Sequence, residues 1–416
     1  MTFNILEFLQ SIVSLEVFDY LRDVWAGDMP AWLIEVILDV VGILSVSTFM
    51  LLVVLYLIWI ERKVAARIQD RIGPNRVGGR FGLLQTVADA LKLLTKEHIT
   101  PAGADKVAFN LAPLIIVVAA LLVWAVIPFA PGVIGTDLNI GVFYILAITS
   151  VSIVSLLLAG WGSNNKYALL GAFRAVAQLV SYEIPMVLAL LVPIILASSM
   201  SMQTIVESQS VWNIIVVPTS ALIFLTAAMA EMGRAPFDLI EAESEIIAGF
   251  HVEYSGMKFA MFMLAEFISA FFMAALFVTI YLGGWRGPGV AEFPLLGLLY
   301  FFIKTFAMFM VIVWVRATFP RVRIDQLLDF NWKFLVPLSL VLVLTVAIVE
   351  KALPVDLNVW VRALIHAAVN LLLLFGALEL VRRYARKLRS VKLDEAGTPR
   401  DAAETHRPAA TAQATD

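Results

Sequence analysis

The chain contains no cysteine among its 416 residues. This absence excludes disulfides, thiolate-bound iron–sulfur clusters and a cysteine nucleophile within the chain. The four histidines, His98, His251, His366 and His406, show no metal-ligand spacing, so the sequence predicts no metal site. Walker motifs, dinucleotide-binding fingerprints and a Ser-His-Asp order are also absent. Any nucleotide or redox cofactor must therefore be bound by another chain.

Charged residues are scarce and apolar residues abundant. Only 15% of the residues are charged and 61% are hydrophobic, with a mean hydropathy of +0.89. Residues 40–60 form a run of 21 without a charge. A helix of that length can cross a hydrocarbon layer about 30 Å thick at about 1.5 Å per residue. The composition therefore predicts a membrane protein.

The hydropathy pattern predicts an all-α fold, a polytopic membrane bundle of about nine transmembrane helices. The expected spans are 34–60, 107–128, 139–160, 175–198, 210–230, 257–282, 293–315, 334–350 and 359–381. They form one transmembrane domain, 31–385. Residues 1–30 are predicted to form an amphipathic leader helix at the membrane interface. Residues 386–416, rich in Ala, Thr and Pro, are predicted to be a disordered tail.

The connectors between spans differ sharply in positive charge. Those after odd-numbered spans, 61–106, 161–174, 231–258 and 316–333, hold seventeen Lys and Arg residues, and those after even-numbered spans hold two. Lys and Arg beside a span tend to stay on the cytoplasmic side. We therefore expect these four connectors and the C-terminal tail to face the cytoplasm, with the N-terminus on the outer side of the membrane. No secretory signal is evident, because the leader carries acids and lacks a basic start.

The connector 231–258 is unusually acidic. Residues 231–256 read EMGRAPFDLIEAESEIIAGFHVEYSG, with acids at Glu231, Asp238, Glu241, Glu243, Glu245 and Glu253. Pro236 suits the first turn of a short helix, on which Asp238, Glu241 and Glu245 would share a face. A solvated acidic loop is the simpler interpretation. Apolar residues alternate with the acids, however, so some carboxyl groups are expected to be partly buried and to titrate together.

Three ionisable residues interrupt the predicted spans: Glu183, Glu266 and Lys304. A charged side chain inside a bilayer costs at least a few kcal/mol, so each must face a partner or water. They could anchor helices to one another. Alternatively, Glu183 and Glu266 lie near the level of the acidic connector and could extend it into a proton relay.

The connector after the seventh span carries three arginines. Arg316, Arg321 and Arg323 occur with Asp325 in WVRATFPRVRIDQLLDFNWK. They could serve only as positively charged anchors on the cytoplasmic side. They could also form a guanidinium surface for a polar headgroup or an acidic partner subunit.

Several long motifs carry a family resemblance. These are ERKVAARIQDRIGPNRVG, QTVADALKLLTKE, WGSNNKYALLGAFRAVAQLVSYEIP, the acidic segment above and RATFPRVRIDQLL. Over about residues 30–350 the chain resembles the H-subunit family of bacterial proton-translocating NADH–quinone oxidoreductase (respiratory complex I), which includes the mitochondrial counterpart. The resemblance does not extend closely to the leader or to the tail, and a ninth span occurs in only some members.

The resemblance implies a place where the membrane arm meets the peripheral arm, lining a quinone chamber completed by the B and D (or fused CD) subunits, with the A, J, K and I subunits nearby. The quinone, ubiquinone or menaquinone, is the substrate, and FMN and iron–sulfur clusters belong to partner subunits. The residues that match the chamber are Glu61, Arg62, Arg71, Arg316 and Arg321. Those that match the acidic path linking the chamber to proton translocation are Glu183, Glu231, Glu241, Glu243, Glu245 and Glu266. Arg234, Asp238 and Lys304 match supporting positions.

Three other functions remain open from the sequence. The equivalent subunit of a membrane-bound hydrogenase or formate-linked complex would need no quinone. A stand-alone secondary transporter would usually contain inverted repeats, and none is visible. A purely structural anchor for partner subunits would tolerate neutral substitutions of its buried charges without loss of turnover.

Overall fold

The computed structural model describes residues 11, 14–25, 29–240, 249–354 and 357–395, and this part of the chain is helical without a strand. Its α-helices, numbered α1 to α14 in order, are Val17–Trp25, Ala31–Ile68, Gln85–Thr95, Lys106–Leu122, Gly141–Gly162, Lys166–Ala197, Met202–Ser208, Asn213–Val216, Pro218–Glu231, Gly256–Tyr281, Pro294–Thr318, Ile324–Phe330, Val336–Ala352 and Val359–Glu395. A short 3₁₀ helix, Val123–Val126, extends α4, and a π-helical turn, Asn331–Leu335, joins α12 to α13. The predicted all-α polytopic membrane fold is confirmed.

Eight helical segments of the described chain are long and apolar enough to cross a membrane. The fifth predicted span, 210–230, is instead divided between α8 and the 14-residue α9. At about 1.5 Å per residue α9 covers about 21 Å, less than a hydrocarbon layer of about 30 Å. The residues that follow α9 are nevertheless enclosed by the protein, since Met232, Arg234 and Leu239 are all buried.

The connectors after odd-numbered spans meet at one end of the bundle, which we call the connector face. The Asp105 amide donates to the Gly162 carbonyl at 3.0 Å, and the Val322 amide donates to the Pro236 carbonyl at 2.9 Å. The Asn165 side chain donates to Glu253 at 2.6 Å. These contacts join all four connectors, as the alternating layout of spans requires.

Three of the remaining connectors meet at the opposite face. Ser201 donates to Asp137 at 2.9 Å, and Arg286 donates to the Gln209 carbonyl at 2.6 Å. These contacts connect the segments before α5, before α7, before α8 and before α11. The two sets of contacts fix the order of the helices across the bundle.

Helix α10 is the most enclosed of the eight long segments, with 67% of its most apolar stretch buried. It packs against α2, α4 and α11. Beside it, the ring of Tyr254 stacks on that of Phe109 at 4.1 Å between centroids, and the Tyr254 hydroxyl donates to the Phe109 carbonyl. Burial raises the pKa of Tyr254 well above its ordinary value, so this phenol stays neutral and anchors the end of the acidic connector.

The described chain contains two compact units. The first is Met1–Ala367 and includes every site considered below. The second begins at Ala368 and, in its described part, is the remainder of α14. Much of the predicted leader before α1, and the predicted tail beyond residue 395, lie outside the described residues.

Candidate functional site

A cavity of about 880 Å³ lies in the first unit between α2, α3, α10 and the end of α11. One part of its wall is apolar, formed by Val54, Leu55, Ile58, Leu264 and Phe267 with three methionines of α10, Met257, Met261 and Met263. The other part is charged. Its ionisable lining residues are Glu61, Arg62, Arg71, Asp89, Lys92, Asp238, Glu266, Arg316 and Arg321. The lining of the cavity therefore combines apolar side chains with guanidinium and carboxylate groups.

All five residues that matched the family's quinone chamber line this one cavity. Three of them lie in helices and not in the connectors that were predicted to contain them. Helix α2 continues to Ile68, so Glu61 and Arg62 are on the last turns of a helix. Arg316 similarly lies in the last turn of α11. The runs Val64–Ala66 and Val315–Ala317 have no helix-breaking residue, so both helices extend past the first charge.

Glu61 is the centre of a buried ion-pair network. Its carboxylate accepts from Arg234 through one oxygen and pairs with Arg316 through the other. Arg234 also pairs with Glu266 at 3.2 Å, and its guanidinium lies over the Phe267 ring at 4.5 Å. The Arg234 side chain is 0% exposed, and those of Glu61 and Glu266 are 13% and 20% exposed. We call these four ionised residues the Glu61 network.

The backbone before and after Arg234 explains how a charge reaches so deep a position. Gly233 has a φ of +62°, and a Cβ there would lie 2.7 Å from the Ile240 side chain. Gln178 of α6 donates to the Ala230 carbonyl at 2.7 Å and to the Phe237 carbonyl at 2.8 Å. A buried amide thus fixes both ends of the turn that directs Arg234 towards α2 and α10.

The prediction of a helix that begins at Pro236 is wrong for the described residues. Residues 232–240 form turns and bends without helix. The hydrogen bonds from Gln178 and the Val322 amide occupy the Phe237 and Pro236 carbonyls, which a helical first turn would use internally. Asp238 lines the cavity, whereas Glu241, Glu243 and Glu245 lie outside the described residues.

Two further predicted acids approach one another behind the network. Glu183 of α6 accepts from the Ser150 hydroxyl of α5 at 2.6 Å. Glu231 is the last residue of α9, and its carboxyl group interacts electrostatically with that of Glu183. One oxygen of Glu231 is buried without a hydrogen-bond partner among the described residues. Glu231 is three residues before Arg234, so the chain itself links this pair of acids to the Glu61 network.

Lys304 lies elsewhere. Its ammonium donates to three carbonyls, those of Leu282, Gly284 and Arg286, each at 2.9 Å. Leu282 is 16 residues beyond Glu266, which corresponds to about 24 Å along a helix. The interpretation of Lys304 as an anchor between helices fits these contacts, and Lys304 does not line the cavity.

Two residues that shape the site were not predicted from the sequence. Asp89 of α3 accepts from Arg62 at 2.5 Å and holds that guanidinium at the cavity wall. Gln178 fixes the turn around Arg234, as described above. A polar Gln within the apolar run AVAQLV is a signal that could have identified Gln178, but Asp89 resembles any solvated residue of an amphipathic helix.

A second cavity of about 500 Å³ borders the connector face. It is lined by Arg174, Leu239, Arg321, Val322, Arg323, Ile324 and Asp325. Arg321 lines both cavities, whereas Arg316 lines the first and Arg323 lines the second. Within the described residues, no group of three or more His, Asp or Glu side chains could hold a metal ion.

Comparison with known proteins gives a consistent result. The sequence model for NADH dehydrogenase matches residues 41–347. The NADH-quinone oxidoreductase H subunit of Dehalococcoides mccartyi (strain CBDB1) is 51% identical over 337 residues, which cover 81% of this chain and 92% of that protein. The protein of the same name from Geobacillus kaustophilus (strain HTA426) is 49% identical over 327 residues, covering 78% and 98%. The region matched by the family model includes the whole Glu61 network and ends before α14.

Proposed function

The chain belongs to the NADH dehydrogenase family, and from this membership we propose that it lines the quinone chamber of a proton-pumping NADH–quinone oxidoreductase and couples quinone reduction to proton translocation. It is a membrane subunit of that oxidoreductase. The observation that carries the finer proposal is a cavity lined both by apolar side chains and by Glu61, Glu266 and Arg316 of the Glu61 network.

The cavity has a suitable size for an isoprenoid quinone, and its lining offers apolar side chains for the tail and polar groups for the headgroup. Small-molecule sites usually have volumes of about 300–1,000 Å³ and a mostly apolar lining with a few polar groups. The tail would enter from the bilayer between α2, α10 and the leader and contact the apolar wall. The headgroup would reach Arg62, Arg71, Arg316 and Arg321, whose guanidinium groups can donate to its carbonyl oxygens.

Quinone reduction to quinol consumes two electrons and two protons. With no cysteine in this chain, the electrons come from an iron–sulfur cluster of a partner subunit, supplied by FMN on another. The arrival of negative charge in the cavity would change the electrostatic balance of the Glu61 network, which consists of two carboxyl and two guanidinium groups. Neighbouring carboxyl groups can respond by exchanging protons, since their titrations are coupled.

The proposed relay starts at Glu61 and Glu266, passes Arg234 and continues through Glu231 to Glu183. Glu241, Glu243 and Glu245 join it on the strength of the family resemblance. Arg234 and Asp238 support it at the cavity side, whereas Lys304 acts at a distance, as argued below.

The proposal also assigns an orientation and partners. The seventeen positive residues of the four connectors favour a cytoplasmic connector face in a bacterial plasma membrane, with the N-terminus outside and the tail 386–416 cytoplasmic. The B and D (or CD) subunits would then close the cavity from the connector face, with the A, J, K and I subunits nearby.

A photoreactive quinone and a kinetic comparison test the chamber. Light-dependent labelling of the assembled complex should fall on α2 or α10 and be suppressed by excess quinone. Arg316→Met should raise the KM for quinone by about tenfold, since one lost charge-assisted contact is worth about 1.4 kcal/mol. Arg323→Gln is the matched control, because Arg323 is 74% exposed and its ion pair among the described residues is with the nearby Asp325.

The kinetic comparison needs a measure of how much complex is assembled. NADH:ferricyanide activity, which bypasses the quinone, should be unchanged in both variants and reports the amount of assembled complex. Labelling confined to other chains, together with a wild-type KM in Arg316→Met, would refute the assignment of this cavity to the quinone.

A further inference from the structure

The carboxyl-terminal end of α10 is enclosed at the opposite face of the bundle. The last four carbonyls of a helix have no intrahelical donor, and a buried helix end needs partners from elsewhere. Here Gln209 donates to the Thr279 carbonyl at 2.9 Å, and Asn213 donates to the Ile280 carbonyl at 2.8 Å. The amides of Leu282 and Gly284 both donate to the Val278 carbonyl.

Lys304 completes this arrangement. An ammonium group has three donors, and all three are used, on the carbonyls of Leu282, Gly284 and Arg286. The ammonium also lies 5.3 Å from the centre of the Trp212 ring. A cation at this place complements the negative end of the α10 dipole. We call Lys304, Gln209 and Asn213 the α10 cap.

Helix α10 carries Glu266, which pairs with the fully buried Arg234. A long helix transmits an axial shift along its length, because its residues are linked by the backbone hydrogen-bond ladder. The Arg234–Glu266 ion pair, at 3.2 Å, loses attraction as the two groups move apart. The cap and Glu266 are thus two fixed points on one rigid element.

We propose that Lys304 is a positioning residue, which acts through the α10 cap to hold Glu266 in register with Arg234 and carries no proton itself. This inference rests on the proposed function, because it assumes that Glu266 takes part in coupling. It accounts for a lysine inside a span that contacts no carboxylate among the described residues and does not line the cavity.

Variants of Lys304 in the assembled complex separate positioning from proton transfer. Lys304→Met should lower the turnover number for quinone by about fivefold or more, because a shift of α10 weakens the pairing of Glu266 with Arg234. Lys304→Arg keeps the charge and several donors but cannot release a proton, so it should retain at least about half of the turnover. Lys351→Met is the matched control, because Lys351 is exposed at the end of α13.

Combination with Glu266→Gln gives the decisive comparison. If Lys304 acts through Glu266, the Lys304→Met substitution should have little further effect in a complex that already carries Glu266→Gln. We expect it to lower the turnover of that complex by less than about twofold, because two substitutions that remove the same interaction are not additive. Asn213→Leu serves as a second variant in case Lys304→Met prevents assembly. It keeps the Lys304 ammonium and removes one donor of the α10 cap, and it should likewise lower turnover in the wild-type background but not in the Glu266→Gln background.

Four results would be adverse, and they have three different meanings. The positioning role would be overturned if Lys304→Met lowered turnover by the same factor with and without Glu266→Gln, or if Lys304→Met kept wild-type turnover. A Lys304→Arg complex as inactive as Lys304→Met would identify a proton carrier instead. Normal turnover and pumping in Glu266→Gln alone would refute the part of the proposed function that involves Glu266, independently of Lys304.

Discussion

Arg234 forms an ion pair with Glu61, 173 residues earlier in the chain, and its side chain is completely buried. The pair joins the acidic connector to the end of α2, and the second contact of Arg234 joins both to α10 through Glu266. One guanidinium group therefore connects three segments of the chain directly behind the cavity wall.

Removal of this guanidinium should be strongly destabilising. Arg234→Met leaves Glu61 and Glu266 as poorly solvated carboxylates, and breaking a buried pair by removing one partner costs about 3–5 kcal/mol. The yield of assembled complex, measured as NADH:ferricyanide activity in membranes, should fall steeply. Arg323→Gln, at an exposed pair, should leave the yield unchanged; equal yields for both variants would show that the Glu61 network is not structurally coupled.

Gln178 should contribute strongly to stability although its side chain is neutral. Gln178→Leu deprives the Ala230 and Phe237 carbonyls of their donor, at about 1–3 kcal/mol for each buried group left unsatisfied. The midpoint of heat inactivation of quinone reductase activity should fall by several degrees. Gln203→Leu is the control, because Gln203 donates only to the nearby, exposed Glu207, and a shift of equal size there would count against the role of Gln178.

Gly171 of α6 allows the acidic connector to approach a helix closely. A Cβ at this position would lie 2.6 Å from the backbone carbon of Gly249. We expect Gly171→Ala to reduce the amount of assembled complex and to impair quinone turnover, because the backbone of the connector must move away. Gly376→Ala has open space around its Cβ and should be neutral or stabilising by about 0.5–1 kcal/mol.

Asp89 should affect substrate binding without much effect on stability. Its pair with Arg62 is largely solvent-accessible, with side chains 26% and 46% exposed, so Asp89→Asn should change the free energy of unfolding by about 1 kcal/mol or less. The freed Arg62 would take other positions in the cavity, and we expect a several-fold change in the KM for quinone. An unchanged KM would mean that Arg62 does not contact the headgroup.

The sequence predicted the fold class and the charge asymmetry because hydropathy and the distribution of Lys and Arg act locally. It also identified Glu61, Arg316 and Arg321 as one set, through the resemblance. It could not show that Arg234 joins Glu61 to Glu266, because the contact with Glu61 depends on a turn fixed by Gln178 of another helix. Pro236 was misread for the same reason: carbonyls that would close a helical turn accept from distant residues instead. The distance of Lys304 from the acids follows from the packing of α11 on α10, which no local pattern encodes.

The most direct test of coupling is the number of protons pumped per NADH oxidised by a complex with Glu183→Gln, reconstituted in sealed vesicles. Glu183 contacts Ser150 and interacts with Glu231 but does not line the cavity, so its loss should not alter the KM for quinone. We predict that NADH:ferricyanide activity is retained while quinone turnover and the pumped-proton ratio both fall. A normal ratio at normal turnover would contradict the proposed passage of protons from the cavity through Glu231 and Glu183.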